Sequence, residues 1–194
     1  KVTVIPVDWA DKPGEGKPST LHMAPVQKFV DYYNDVSYGK MKLEVNFPDR
    51  WFRLPGEMMD YEVTELDYQN PYSEKTKAQK NRLFHNGVEV ADPLVDFSNT
   101  AIVVFVLPED QSAIELTLQG FWNGDLPAPA QSDEGLLKNF FTAGKAFPNR
   151  EIWSYYAHEF GHTIMLPDYY LQIANYGRDD LVQIPVGPFS GFEM

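Results

Sequence analysis

The segment His158-Glu159-Phe160-Gly161-His162 places two imidazoles four positions apart, with a carboxylate between them. Positions four apart lie on one face of an α-helix, so a helix through this segment could present both imidazoles to a single metal ion. Glu159 lies next to the first imidazole, where a carboxylate could move protons. This spacing is typical of zinc-dependent hydrolases, in which two histidines hold the metal and the glutamate is the general base.

A catalytic zinc keeps three protein ligands and one open position, so a third ligand must come from elsewhere in the chain. Asp168, directly after Pro167, is our candidate. Two neutral histidines and one carboxylate would leave a net positive centre, which suits the acidification of water and the polarisation of a carbonyl group. Two alternatives stay open. His158 and His162 could be hydrogen-bonded core histidines, and Asp168 could be only a turn residue.

The composition limits the chemistry. The chain has 194 residues, enough for one domain with a sizeable core. Its net charge of −12 argues against nucleic acid as a partner, because phosphates would be repelled. Cysteine is absent, so a zinc site must use histidine and carboxylate. No apolar run reaches transmembrane length and no signal peptide is present, so we expect a mature or trimmed fragment.

The five residues from His158 to His162 must be positioned by helices and strands elsewhere in the chain. Val2 to Val7 is a β-branched run that predicts a strand, although Pro6 argues against it, because proline cannot donate to a ladder and prefers edges or bulges. Ala101 to Leu107 is apolar without alternation, which predicts a strand covered on both faces, as in the middle of a mixed or parallel sheet. A helix from Glu151 to about Met165 would then carry the pentad, with Asn149 as a candidate N-cap.

Other segments complete the predicted scaffold. Apolar residues recur at helical spacing in residues 26–36, and Gly39 would stop that helix. Alternation in residues 41–47 predicts a half-buried strand, residues 74–90 a polar helix, and residues 120–135 a long loop. Strands that alternate with helices predict an α/β or α+β fold with helices packed on the sheet.

The segment HEFGHTIMLPDYY, from His158 to Tyr170, resembles the immune inhibitor A family of secreted bacterial metallopeptidases, which belongs to the broader metzincin-like group. The family pattern is HExxHxxGxxD, and its end matches Pro167-Asp168. The opening KVTVIPVDW resembles the family's first strand. The final GPFSGFEM resembles the approach to its methionine turn, so Met194 corresponds to the methionine of that turn. The resemblance touches most of the chain, but only the active-site segment from His158 to Tyr170 is specific.

This resemblance implies that His158, His162 and Asp168 are zinc ligands and that Glu159 is the catalytic acid and base. It also implies a zincin or metzincin-like fold, which has a twisted mixed sheet, a backing helix and an active-site helix. An antiparallel edge strand would pair with extended substrate, and the alternating run from Ile114 to Leu118 is our candidate for it.

Two departures from the family pattern bear on the third ligand and on the length of the chain. Met165 stands where the family has a glycine whose left-handed backbone turns the third ligand towards the metal. A non-glycine residue in that conformation costs about 1–2 kcal/mol. Family members also continue beyond the methionine turn, so we expect residues 1–194 to be a single catalytic domain cut short after that turn.

The sequence therefore predicts a monomeric, secreted or cell-surface zinc endopeptidase that acts on protein or peptide substrates. The alternative is a surface-binding or adhesion module on a peptidase scaffold, with a structural or vestigial metal site. A glutamate-ligand zinc site would need a downstream helix, and only Glu193 follows Asp168. Calcium has no definite site, since the pair Asp179-Asp180 also fits a solvated loop. The two remaining histidines, His22 and His85, are interpreted as surface residues.

Overall fold

A computed structural model gives the fold as a mixed α/β arrangement with a mostly parallel sheet and helices on both of its faces. This confirms the α/β class predicted from alternating strand and helix patterns. The residues that the structure describes are 1–62, 74–108, 119–121, 128–142, 151–164, 166, 169–173 and 182–186.

The described residues form helices and strands. The helices are α1 (Pro18–Val36), α2 (Glu74–Ala91) and α3 (Ile152–Thr163), with short 3-10 turns at Met58–Tyr61 and Asp92–Leu94. The strands are β1 (Val2–Asp8), β2 (Val45–Asn46), β3 (Phe52–Arg53), β4 (Ile102–Val106), β5 (Gln119–Phe121), β6 (Ala130–Ser132), β7 (Gly135–Leu137), β8 (Asn139–Thr142), β9 (Tyr169–Ile173) and β10 (Val182–Val186). No helix in the described part of the chain is long and apolar enough to cross a membrane.

The main sheet has the strand order β2-β1-β4-β8-β5, with β3 also paired to β1. All of its pairings are parallel except that of β5, which runs antiparallel to β8 at the edge. Strand β4 has parallel partners on both sides, and all five of its residues are buried. The prediction of a central strand in this segment is therefore confirmed. The two smaller sheets are the antiparallel pairs β6–β7 and β9–β10.

The predicted strand over Val2 to Val7 is confirmed as β1, which lies between other strands although it contains Pro6. On one flank, Val2 and Thr3 pair with β2, whereas Val7 and Asp8 pair with β3. Pro6 lies between these two short pairings. On that side of β1, its missing backbone N–H therefore removes no hydrogen bond to a neighbouring strand. The sequence could not show this, because it depends on how far two distant strands extend.

Successive residues of the strands point to opposite faces of the sheet and enter separate cores. Val4 packs with α1 and α3 on one face, whereas Ile5 packs with α2 on the other. On the α2 face, the Phe84 and Phe140 rings stack with centroids 4.8 Å apart. Gly87 lets α2 approach this face closely, because a Cβ there would collide with the ring of Phe105.

Helix α1 contains the predicted residues 26–36 and begins earlier, with Pro18 in its first turn. After its end, Gly39 takes a φ of +72° and donates its N–H to the Asn34 carbonyl at 2.8 Å. Gly39 therefore stops the helix as predicted. Val36 differs from the expected core pattern, because its side chain is 38% exposed at the last helical position.

Three segments differ from the predictions. The expected strand over residues 41–47 forms ladder pairs only at Val45 and Asn46. The expected loop over residues 120–135 contains strand β6, which forms a hairpin with β7. Strand β8 was not predicted, because its four residues are too few to show a period. The expected edge at residues 114–118 lies outside the described residues, immediately before β5.

The interpretation of His22 as a surface residue is wrong, whereas His85 is exposed as expected. His22 is only 9% exposed and its Nε2 lies 3.1 Å from the Leu107 carbonyl oxygen, to which it donates. Its ring also meets the edge of the Trp51 ring, with centroids 6.3 Å apart. Burial lowers the pKa of His22, and the hydrogen bond to Leu107 partly opposes this shift.

We expect His22 to make the folded state sensitive to mild acid. The unfolded chain takes up the proton near the ordinary histidine pKa of 6.5, whereas the folded protein takes it up only at lower pH. The contribution of His22 to stability is therefore full above that value and is lost as the pH falls towards the lower, folded pKa. Urea unfolding at about pH 7.5 and about pH 5.5 should show a smaller loss for His22→Gln than for the wild type.

The matched control is His85→Gln, because exposed His85 also contacts a backbone carbonyl, that of Ala128, at 2.9 Å. This variant should keep the pH dependence of the wild type. Equal losses of stability in the wild type and His22→Gln would contradict the assignment.

Candidate metal centre

Helix α3 carries the HEFGH segment and is anchored to α1 at its first turn and along its buried face. Its N-cap is Glu151, so the prediction of Asn149 as the N-cap is wrong. The Glu151 carboxylate accepts hydrogen bonds from Lys28 Nζ of α1 at 2.7 Å and from Trp153 Nε1 at 2.6 Å. These contacts help to fix the start of the helix relative to α1.

The buried face of α3 is aromatic. Tyr156 and Phe160 are almost fully buried, and the Phe160 ring packs edge-on against Phe29 and Tyr33 of α1. Burial raises the pKa of Tyr156 well above its ordinary value, so this tyrosine stays neutral. Because this face is fixed against the core, the histidines two positions to either side of Phe160 are directed away from it and are only half-buried.

The two imidazole rings of this segment lie next to each other. The ring centroids of His158 and His162 lie 4.8 Å apart with an interplanar angle of 83°. Two imidazoles that share a tetrahedral zinc at about 2.0–2.1 Å would have centroids roughly 5 Å apart. The observed spacing of the ring centroids is therefore compatible with a common metal ion.

The orientation of His162 is set by a backbone contact. Its Nδ1 lies 2.9 Å from the Leu166 carbonyl oxygen, just beyond the end of α3, and donates a hydrogen to it. The proton is then on Nδ1, and Nε2 keeps the lone pair that a metal requires. A histidine that binds a metal normally donates its other ring N–H to such an acceptor, and the sequence alone does not show which residue provides it.

Glu159, the expected general base, is 5% exposed and lies on α3 between the histidine face and the buried face. It lies close enough to Lys80 of α2 for its charge to act on that ammonium group. Burial lowers the pKa of half-buried Lys80, and the Glu159 carboxylate opposes that shift by favouring the charged form. Sequence reasoning missed Lys80, because no motif connects it with the distant HEFGH segment.

The third expected ligand, Asp168, lies outside the described residues, as do Met165, Pro167 and the expected turn methionine Met194. Among the residues that the structure describes, no group of three His, Asp or Glu side chains is placed to hold a metal. The structure therefore brings the two histidine rings together, and Glu159 is adjacent to them in the sequence of α3. Asp179 and Asp180, the residues considered for calcium, also lie outside the described part.

Comparisons of this chain with protein-family models, with curated proteins and with solved structures found no match.

Proposed function

We propose that this protein is a secreted or cell-surface zinc endopeptidase related to the immune inhibitor A family. The observation that carries the proposal is the meeting of the His158 and His162 rings, 4.8 Å apart, beside the buried carboxylate of Glu159. A core histidine pair would explain the rings alone. It would give no role to Glu159, which lies nearly buried between the two histidines in the sequence.

In this proposal His158, His162 and Asp168 hold the ion. Zinc, when bound, supplies the Lewis acidity that acidifies a water molecule and polarises the carbonyl of the scissile peptide. The Leu166 carbonyl keeps His162 in the tautomer that leaves Nε2 available. Two neutral imidazoles and one carboxylate balance only part of the charge of the ion, which keeps its polarising power.

Glu159 performs the proton transfers. Its carboxylate accepts a proton from the attacking water and delivers it to the nitrogen of the leaving amine as the peptide bond breaks. The burial of Glu159 suits this role, because low exposure to bulk water strengthens its electrostatic interactions within the site. Lys80 provides a compensating positive charge that helps α3 to keep this carboxylate inside the protein.

The edge of the sheet suggests how a polypeptide substrate could bind. Strand β5 is antiparallel to β8 and, among the described strands, pairs with β8 alone. It also contacts α3, which places this edge close to the helix of the histidines. An extended peptide that added itself to this edge would form backbone hydrogen bonds regardless of its sequence. This arrangement favours a protein or peptide substrate over a small molecule.

Removal of the metal tests the proposal. The full-length protein should contain zinc by elemental analysis and should cleave a generic unfolded protein at neutral pH. A chelator should abolish cleavage and added zinc should restore it, because zinc supplies the Lewis acidity of the reaction. Cleavage that survives complete removal of zinc, or a zinc-loaded protein that cleaves nothing, would contradict the proposal.

A further inference from the structure

A buried tyrosine on the neighbouring helix is bonded directly to the backbone of α3. Tyr33 of α1 is 1% exposed, and its hydroxyl donates to the carbonyl oxygen of Ala157 at 2.6 Å. Ala157 immediately precedes His158 in the chain. The contact therefore joins two helices at the turn from which the first imidazole projects.

This carbonyl already has a partner within its own helix. In an α-helix the N–H of Gly161 is the regular donor to the Ala157 carbonyl, so the Tyr33 hydroxyl is a second donor that comes from outside. A bond from a separate element fixes both the rotation of α3 about its axis and its distance from α1. Rotation about that axis is the motion that would swing His158 and His162 away from their common point.

Gly161 allows this close approach. A Cβ at this position would lie only 3.3 Å from the Tyr33 hydroxyl oxygen, which would crowd that oxygen, and 3.8 Å from Leu166 Cδ1, which is an ordinary contact. Leu166 is the residue whose carbonyl accepts from His162. Gly161 thus lies between the Tyr33 hydroxyl and Leu166. The carbonyl of Leu166 is the group that orients His162.

The tyrosine ring is itself firmly held. It packs edge-on against Phe160 and Phe29, with centroids 4.9 Å and 5.6 Å away. Burial raises the pKa of Tyr33, and the neighbouring Tyr32 adds to this effect, so the hydroxyl remains a neutral donor. Because the Tyr33 ring is held in place and its hydroxyl keeps its proton, the hydrogen bond to the Ala157 carbonyl has a defined direction.

We propose that Tyr33 is a positioning residue that holds the two imidazoles at the separation a shared metal requires. This inference rests on the proposed function, because it assigns Tyr33 to the same metal site. Tyr33 acts through the backbone of α3 and touches neither the ion nor the substrate. Its loss should therefore weaken zinc binding about 10-fold, at the lower end of the effect of outer partners of metal ligands.

The test compares Tyr33→Phe with Tyr61→Phe. Tyr61 is also fully buried and donates its hydroxyl to a backbone carbonyl, that of Pro55 at 2.8 Å, but it packs in the core on the opposite face of the sheet. Zinc affinity is measured by competition with a chromophoric chelator, and stability by urea unfolding. Both variants should lose stability, but only Tyr33→Phe should bind zinc more weakly and show a lower kcat with an unchanged KM. Equal zinc affinity in the two variants would overturn the assignment.

A metal-free measurement separates this inference from the proposed function. In the apo-protein, the imidazole nitrogen resonances of His158 and His162 should shift in Tyr33→Phe and stay in place in Tyr61→Phe. If the wild type binds no zinc, the proposed function fails, and unchanged resonances in Tyr33→Phe would separately overturn the positioning role. Gly161→Ala offers a second variant that favours helix formation, and it should shift the same resonances by displacing the Tyr33 hydroxyl.

Discussion

Replacement of Glu159 with glutamine is expected to abolish peptide hydrolysis while zinc stays bound. The amide has nearly the same shape as the carboxylate but cannot accept a proton from water and pass it to the leaving amine. General acid–base catalysis contributes about 10²–10⁴-fold to such a step, so kcat should fall by at least that range. Cleavage of an unfolded protein, with zinc content measured on the same sample, tests this expectation.

The control for this substitution is Glu89→Gln, which makes the same chemical change at an exposed position of α2. It should leave both zinc content and cleavage unchanged. Wild-type activity in Glu159→Gln would show that another group carries the proton. Loss of zinc from Glu159→Gln would instead make this side chain part of the metal site.

His162→Ala should remove zinc binding and cleavage together. This substitution deletes one ring of the pair and the hydrogen bond to the Leu166 carbonyl that orients it. Loss of a direct ligand should weaken zinc binding by more than the roughly 10–100-fold that outer partners contribute. Dialysis against dilute zinc followed by elemental analysis gives the readout, and a variant that still binds one zinc tightly would refute the assignment.

Three further substitutions complete this experiment. His85→Ala removes an exposed histidine that also contacts a carbonyl, and it should retain zinc and activity. Asp168→Ala tests the third ligand and should weaken zinc binding as His162→Ala does, whereas Asp179→Ala should not. Normal zinc binding in Asp168→Ala would assign the third coordination position to another residue.

The sequence predicted those helices and strands whose pattern of apolar residues is long or uninterrupted. Strand β4 was evident because Ile102–Val106 is apolar without interruption, and α1 because its apolar residues recur over several turns. The HEFGH spacing predicted the meeting of His158 and His162, since helix geometry alone places positions four apart on one face. These predictions succeeded because each depends on residues close together in the chain.

The features that the sequence missed depend on distant partners. His22 is buried because Trp51 and Leu107 reach it from other parts of the chain. The Glu159 charge acts on Lys80 although the two residues are far apart in the chain. The Tyr33 bond to Ala157 likewise spans 124 positions of the chain. No local period records such contacts, so they appear only once the elements are packed.

The strand order has a consequence for how the protein is made. Strand β4 lies between β1 and β8, and α3 packs on α1, so the histidines are oriented only after the last of these elements has docked. Synthesis at about 5–20 residues per second puts α3 on the order of ten seconds behind α1. Such long-range pairing also slows folding itself. A nascent chain therefore cannot assemble the histidine pair against α1 before Ile152–Thr163 has been made.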